Sequence, residues 1–280
     1  MSLDPQQYVC DSEFIKLMSA RRDVDLVAAA LEIARDEDPH VDFERCYLWI
    51  SDRAAELRGP VASADHECDA LRELGKCLAG QHGLNGHATA FCDANGSLLH
   101  RVIETGRGLP ISLSLIYIAV ARHVGIDLEA VAAPGRFVTR YNGPCGRHYI
   151  DPFDGGRVLS EAQCVELLQQ TSGATPEQIY RSLHPADPRT IVIRILNNLK
   201  AIHAEREEWN AAWRTQCRLV SLLPASYSER RDLALLSMRA DRPGQAIDLL
   251  ENCCKSAPAA EREMLGEQLK VARGLLCRWN

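Results

Sequence analysis

Residues 106–141 read GRGLPISLSLIYIAVARHVGIDLEAVAAPGRFVTRY, and they predict a buried helix followed by two short strands. The helix is expected from Ile111 to Val124, because Gly108-Leu109-Pro110 introduces this run, Gly125 stops it, and it has almost no polar face. A helix that is apolar all round has to be covered on every side. We therefore expect it at the centre of the core.

Short β-rich runs follow the helix, from Leu128 to Ala133, Arg136 to Tyr141 and Arg147 to Asp151. Pro134-Gly135 separates the first two runs, and Asn142-Gly143-Pro144 separates the second from the third. The pattern predicts antiparallel strands joined by turns. A helix followed by such a sheet is typical of an α+β domain.

The residues before this stretch have a helical pattern from Phe14 to about Ala79, in which Gly59-Pro60 is expected to end a helix. Residues 80–96 are rich in Gly, His and Asn and have no period, which predicts a loop. The run from Leu98 to Ile103 predicts a short helix that ends at Gly106.

Beyond about Pro185 the sequence predicts helices alone. Pro224 and Pro258 lie 34 residues apart, and apolar positions recur at the same offset. This period is typical of tetratricopeptide repeats, whose helical hairpins stack to cover their apolar faces. We therefore expect an α+β domain at residues 1–185 and an all-α array of helical hairpins at residues 186–280.

The helical array is expected to bury Trp213, Leu219 and Leu249 between neighbouring helices. Its candidate interaction surface consists of Trp209, Trp213 and Arg214, since such arrays usually present one face to a segment of a partner. The expected partner is another protein or a peptide.

The 280-residue chain has 32 basic and 38 acidic side chains spread along its length, with a formal net charge of −6. No broad basic surface is therefore expected for a nucleic acid. The chain opens without a secretion signal, and its longest apolar run, around Leu109 to Ala121, is too short to span a bilayer. We expect a cytoplasmic protein that binds neither nucleic acid nor membrane.

Eleven cysteines occur at irregular spacing, and an odd number without a secretion signal argues against a disulfide framework. No CxxC pair is present. The nearest group of possible ligands, Asp65, His66 and Cys68 with Cys77 further along, lacks the paired spacing of a metal site. The sequence therefore predicts neither a metal nor a cofactor.

Three motifs carry a family resemblance: Gly-x-Pro-Ile-Ser-Leu-Ser at residues 108–114, Pro-Gly-x-Phe at residues 134–137 and Asp-Pro-Phe-x-Gly-Gly at residues 151–156. In this order the chain resembles the SirB-type family of bacterial proteins, in which a transglutaminase-like domain precedes tetratricopeptide repeats. The resemblance covers nearly the whole chain. It implies a fold related to that of papain-type peptidases.

Active enzymes of that fold use a Cys at the start of the central helix, a His on the next strand and an Asp on the strand after it. The resemblance places these positions at Pro110, Arg136 and Asp151. Proline suits the first helical turn but offers no nucleophile, and arginine stays protonated and cannot act as a base. We therefore expect no Cys-His-Asp constellation, and we predict an ion pair between Arg136 and Asp151 across two adjacent strands.

Two residues are candidate replacements for the missing nucleophile. Ser112 lies near the start of the central helix, where a capping role competes with a nucleophilic one. Cys92 lies eight residues before His100, but the spacing does not place their side chains together. His148 is expected at the strand surface, because its spacing from Asp151 points the two side chains to opposite faces.

These observations favour a non-catalytic scaffold that binds another protein through its repeats. One alternative is a hydrolase or acyltransferase that uses a non-standard nucleophile beside Asp151. Another is a module that binds a small anion through Arg136. The oligomeric state is left open.

Overall fold

The computed structural model describes residues 8–279. It contains two compact units: Arg22–Ile195, and a second unit that joins the described residues up to Arg21 with those from Leu196 onward. The sequence suggested a boundary at residue 185 and a first domain that includes the N-terminal segment. The contacts instead place the division within the helix Pro188–Glu205 and group the N-terminal segment with the repeats.

The helices and strands are numbered in chain order. The α-helices of the described residues are α1 (Ser12–Met18), α2 (Leu26–Ala34), α3 (Phe43–Ala62), α4 (Glu67–Gly75), α5 (Leu99–Thr105), α6 (Pro110–His123), α7 (Glu161–Ser172), α8 (Pro176–Ser182), α9 (Pro188–Glu205), α10 (Trp209–Leu222), α11 (Tyr227–Arg239), α12 (Pro243–Ser256) and α13 (Ala259–Trp279). The strands are β1 (Asn85–Gly86), β2 (Arg107–Gly108), β3 (Leu128–Val131), β4 (Val138–Gly143), β5 (Gly146–Asp151) and β6 (Arg157–Ser160).

The central helix α6 begins and ends close to the predicted positions. Pro110 is its first residue, where a missing N–H costs no helical hydrogen bond, and Gly125 follows the helix at φ +80°. Its side chains are buried without interruption from Pro110 to Tyr117. The prediction of a central core helix is confirmed.

The chain after α6 forms a four-stranded antiparallel sheet, whose strands lie side by side in the order β3-β4-β5-β6. Its register pairs Val131 with Val138 and Thr139 with Ile150. Strand β6 was not predicted, because its four residues directly after the Gly155-Gly156 turn are too short to show a period. Strand β4 starts at Val138, two residues later than predicted, since Gly135 at φ +70° still belongs to the turn.

The N-terminal part of this unit differs from the expectation in two places. Helix α3 continues through Gly59-Pro60 to Ala62, because a proline in the last turn removes only one backbone hydrogen bond. The expected loop is partly ordered: a π-helix at Lys76–Gln81 continues directly from α4, and β1 pairs in parallel with β2. The short helix α5 ends at Gly106 as predicted, with φ +73° at that residue.

The repeat unit is helical throughout the described residues beyond 195, as predicted. Consecutive helices from α10 to α13 pack against one another, and the small buried side chains Ala234, Ala246 and Ala272 let them approach closely. Leu219 is fully buried as expected, whereas Trp213 and Leu249 are only partly buried, at the edge of a smaller apolar cluster around Cys217.

No helix among residues 8–279 is both long enough and apolar enough to cross a membrane.

Candidate functional site

The position expected for a nucleophile lies at the N-terminus of α6, and it carries no thiol. Pro110 occupies the first helical position, and Leu109 is the N-cap residue without a side-chain hydrogen bond. Both residues are buried. The helix start therefore offers no nucleophilic side chain at Leu109 or Pro110.

Arg136 and Asp151 form the predicted ion pair. Arg136 Nη2 lies 2.6 Å from Asp151 Oδ2, and the Asp151 side chain is fully buried. Asp151 Oδ1 accepts hydrogen bonds from the backbone N–H groups of Phe153 (3.0 Å) and Asp154 (3.3 Å). One detail of the prediction was wrong: Arg136 lies in the turn before β4, so the pair joins a turn to the end of β5 and does not cross two strands.

Burial dominates the electrostatics of this pair. Desolvation raises the pKa of Asp151, while the Arg136 guanidinium and the two backbone N–H donors oppose that rise. Burial thus disfavours the charged form of Asp151, and Arg136 and the two backbone N–H groups offset part of this desolvation penalty. The Arg136 guanidinium stays protonated, so it cannot take up a proton from a nucleophile.

Aromatic side chains cover the ion pair. The Arg136 guanidinium lies 4.9 Å from the centre of the Phe153 ring, and the Phe91 ring lies 5.6 Å from that of Phe153. Gly86 leaves no room for a side chain at the point where the Phe153 ring packs on its backbone. The loop that contains β1 therefore packs directly on the Phe153 ring, which in turn lies against Arg136.

Buried hydroxyl groups without hydrogen-bond partners lie on α6. They belong to Ser112, Ser114 and Tyr117, all at most 1% exposed. Burial raises the pKa of Tyr117 well above its usual range. Gly156, at φ +73°, packs so closely on Tyr117 that a Cβ there would lie 2.6 Å from the phenol oxygen.

Neither of the two candidate replacement nucleophiles is supported by the geometry. Ser112 is the third residue of α6, so the capping interpretation was wrong, and its buried hydroxyl has no hydrogen-bond partner among the described residues. Cys92 is exposed at the end of a 3-10 turn and contacts no histidine among the described residues. His100 is instead buried on α5, with Nε2 3.6 Å from Asp38 Oδ2.

Two other cysteines do lie beside histidines, and neither pair has a local signal in the sequence. Cys68 Sγ lies 3.5 Å from Nε2 and 3.6 Å from Nδ1 of His148, which is half-buried, not fully at the surface. Nearly equal distances mean that the thiol is not aligned with the lone pair of one nitrogen. His148 has no carboxylate partner in the described part of the chain, so the pair does not form a Cys-His-Asp constellation.

The second group consists of Cys77, His82 and Glu56. His82 Nε2 lies 2.6 Å from Glu56 Oε2, and Cys77 Sγ donates to the same oxygen over 3.7 Å. No hydrogen bond links Cys77 directly to His82 within residues 8–279. This group is therefore not a Cys-His-Asp constellation either. It remains the densest cluster of metal-ligating side chains in the described chain.

The tryptophans of the candidate interaction surface are held within the repeat unit. Trp213 Nε1 donates to Ser237 Oγ over 3.2 Å, and the Arg242 guanidinium lies 3.9 Å from its ring centre. The Arg239 guanidinium lies 5.1 Å from the ring of Trp209. Trp209, Trp213 and Arg214 are half-buried, while Arg239 and Arg242 are exposed, so arginines form the outer layer of this surface.

Comparison with known proteins agrees with this architecture. Residues 46–197 match the transglutaminase-like superfamily, and residues 199–270 match a tetratricopeptide repeat family. The chain is 31% identical to a UPF0162 protein of Xylella fastidiosa (strain Temecula1) over 84% of each chain, and 29% identical to UPF0162 protein PA3419 of Pseudomonas aeruginosa over 86% of this chain and 94% of that one.

The chain is also similar to an animal protein. F-box only protein 21 of Homo sapiens is 27% identical over 60% of this chain and 27% of its own length. No solved structure matches the chain. The resemblance to a transglutaminase-like domain followed by tetratricopeptide repeats is therefore confirmed by the families matched, and so is the mixed α+β fold class with a helical array.

Proposed function

Since the chain belongs to the UPF0162 family and to the transglutaminase-like superfamily, we propose that it is a non-catalytic protein-interaction protein of the cytoplasm. The transglutaminase-like unit serves as a rigid body, and the tetratricopeptide repeats bind another protein. The eleven cysteines are all free, which suits a reducing compartment.

The observation that carries this proposal is the ion pair between Arg136 and Asp151. A base must exchange a proton at working pH, and a guanidinium does not. With Pro110 at the helix start, the two reactive members of the triad are replaced by groups that stabilise structure. The same pair argues against a small-anion module, because the charge of Arg136 is already balanced by Asp151.

The binding surface that we assign to the repeats consists of Arg239 and Arg242 stacked on Trp209 and Trp213. A stacked guanidinium can still donate from its planar edge to carboxylates, and tryptophan adds apolar contact area. Arg242 also donates from Nη2 to Asn210 Oδ1 over 3.3 Å. The partner segment that this surface fits is acidic, with apolar residues between its carboxylates.

Charge reversal of the exposed arginines tests this assignment in the full-length chain. We expect that the double variant Arg239→Glu/Arg242→Glu loses capture of the partner from a native lysate, because its carboxylates repel an acidic segment. The matched control Arg107→Glu/Arg181→Glu changes two exposed arginines of the transglutaminase-like unit and should capture the same protein as wild type. Equal capture by both double variants would contradict the assigned surface.

A thiol enzyme is the alternative that one observation favours, namely the contact of Cys68 with His148 near the N-terminus of α4. Such an enzyme needs a thiolate that reacts below neutral pH. We expect instead that iodoacetamide modifies Cys68 at pH 6 no faster than the exposed Cys92, as measured by mass spectrometry of tryptic peptides. Rapid labelling of Cys68 at pH 6 that is lost in His148→Ala would overturn the non-catalytic proposal.

A further inference from the structure

Glu56, Cys77 and His82 bring three metal-ligating atoms together outside the vestigial triad. Glu56 Oε2, Cys77 Sγ and His82 Nε2 all lie within 4.8 Å of one another. Cys77 is 5% exposed, whereas the side chains of Glu56 and His82 are 41% and 26% exposed. The cluster therefore has a buried sulfur on one side and solvent on the other.

The π-helix Lys76–Gln81 explains how the chain builds this cluster. His82 N–H donates to the carbonyl of Cys77 over 3.0 Å, which closes a turn of five residues in place of four. Residues five apart lie on one face of such a wide turn but on different faces of an α-helix, and π-helical turns often occur at functional sites. The sequence pattern predicts an ordinary helix followed by a loop at this place. It therefore groups Cys77 with the possible ligands Asp65 and His66 and does not place Cys77 beside His82.

Neighbouring side chains hold the ligands in place. Arg53 donates to Glu56 Oε1 over 2.8 Å, which leaves Oε2 directed at Cys77 and His82. The rings of Trp49 and His82 meet edge to face at 6.2 Å. Contacts of this kind orient the ligands in established metal sites.

We propose that Glu56, Cys77 and His82 bind one divalent cation of the zinc class through Oε2, Sγ and Nε2, with a fourth position open to water. Thiolate, imidazole and carboxylate are the three side-chain ligands of zinc, and three protein ligands with one open position are typical of exposed, reactive zinc sites. The sulfur disfavours magnesium and calcium, which take oxygen ligands.

The observed spacing is close to what tetrahedral coordination needs. Zinc at about 2.3 Å from sulfur and about 2.0 Å from oxygen or nitrogen separates its ligands by roughly 3.3–3.6 Å. The Glu56–Cys77 contact is 3.7 Å, and the Glu56–His82 contact is 2.6 Å. Of these two distances the second has to widen, which a movement of the exposed Glu56 side chain allows.

Binding is coupled to the loss of one proton. Burial, followed by the charge of Glu56, raises the pKa of the Cys77 thiol to about 11. The charged groups that act on it are Arg53 and Glu56 from α3 and Glu73 from α4. Coordination forms a Zn–S bond, breaks the S–H bond and releases that proton to solvent.

The test uses the full-length, metal-free protein and Co²⁺ as a spectroscopic probe for the zinc site. We expect one Co²⁺ per chain, with visible bands of a four-coordinate ion and a near-ultraviolet thiolate-to-cobalt band, all displaced by Zn²⁺. In Cys77→Ser the thiolate band disappears, and zinc affinity falls by at least about 100-fold, since the loss of a supporting contact alone costs 10–100-fold.

Cys68→Ser is the matched control, because Cys68 is the other cysteine beside a histidine. It should keep the thiolate band and the zinc affinity of the wild type. Glu56→Gln and His82→Gln alter exposed ligands and should each weaken zinc binding, which keeps the test open if Cys77→Ser unfolds. Wild-type affinity in all three ligand variants, or a thiolate band lost in Cys68→Ser, would overturn the proposal.

Discussion

Replacing Arg136 with alanine is expected to lower the free energy of unfolding by about 3–5 kcal/mol at pH 7.5, the usual cost of removing one partner of a buried ion pair. Asp151 would keep its two backbone N–H donors but would lose the guanidinium that lies 2.6 Å from its Oδ2 oxygen. Urea unfolding, followed by circular dichroism, measures the loss. Arg136→His should cost less, because an imidazolium restores a cation at that position.

The pH dependence identifies the cause. Burial raises the pKa of Asp151 in the folded state, so the carboxyl destabilises the fold progressively as pH rises from its unfolded pKa through its folded pKa. Without the Arg136 guanidinium the folded pKa rises further, and protonated Asp151 needs no counter-charge. The stability difference between wild type and Arg136→Ala should therefore be largest at pH 7–8 and shrink toward pH 5.

A double-mutant cycle provides the control. In Arg136→Ala/Asp151→Asn the buried charge is absent, so most of the loss caused by Arg136→Ala alone should be recovered. A stability difference that does not change between pH 5 and 8, together with additive effects in the cycle, would show that Arg136 contributes through packing on Phe153 and not through its charge.

The parts of the fold that could be predicted are those whose signal is local. Helix α6 has an apolar run bounded by Pro110 and Gly125, and both residues act at the predicted ends. The ion pair needed two kinds of information, the turn-rich connection between the strands and the family positions of Arg136 and Asp151. Local pattern alone would not have placed the pair.

The parts that were missed depend on contacts between distant residues or on unusual backbone geometry. Glu56 and Cys77 are 21 residues apart in the sequence. The residue types at Lys76–Gln81 do not predict the π-helix that brings Cys77 close to His82. A serine near the start of a helix suggests a cap, which was the wrong prediction for Ser112. The helix already starts at Pro110, so Ser112 is its third residue and its side chain lies in the core.

The N-terminal segment was assigned to the wrong neighbour by sequence proximity, as seen from Arg218 of α10. Its Nη2 lies 2.7 Å from Asp11 Oδ2, 207 residues away along the chain. Its guanidinium lies 4.7 Å from the ring centres of both Tyr8 and Phe14. Only 2% of Arg218 is exposed, so this side chain ties residues 8–18 to α10 within the repeat unit.

Arg218→Ala is therefore expected to destabilise the repeat unit by about 3–5 kcal/mol, because it removes the charge facing a buried carboxylate and the cation that contacts two aromatic rings. Arg218→Lys should lose less, since it keeps the charge but not the planar stacking. The measurements are urea unfolding and amide hydrogen exchange of residues 8–18, which should lose protection in Arg218→Ala.

The matched control is Arg273→Ala in the same unit. Arg273 pairs with Glu251 at 2.7 Å, but its side chain is 59% exposed, so the expected loss is below about 1 kcal/mol. Exchange in residues 8–18 should then equal that of wild type. If Arg218→Ala and Arg273→Ala gave the same exchange in that segment, Arg218 would not be its anchor. A loss of protection confined to Arg218→Ala would instead mean that α1 owes its place in the repeat unit to this single buried cation.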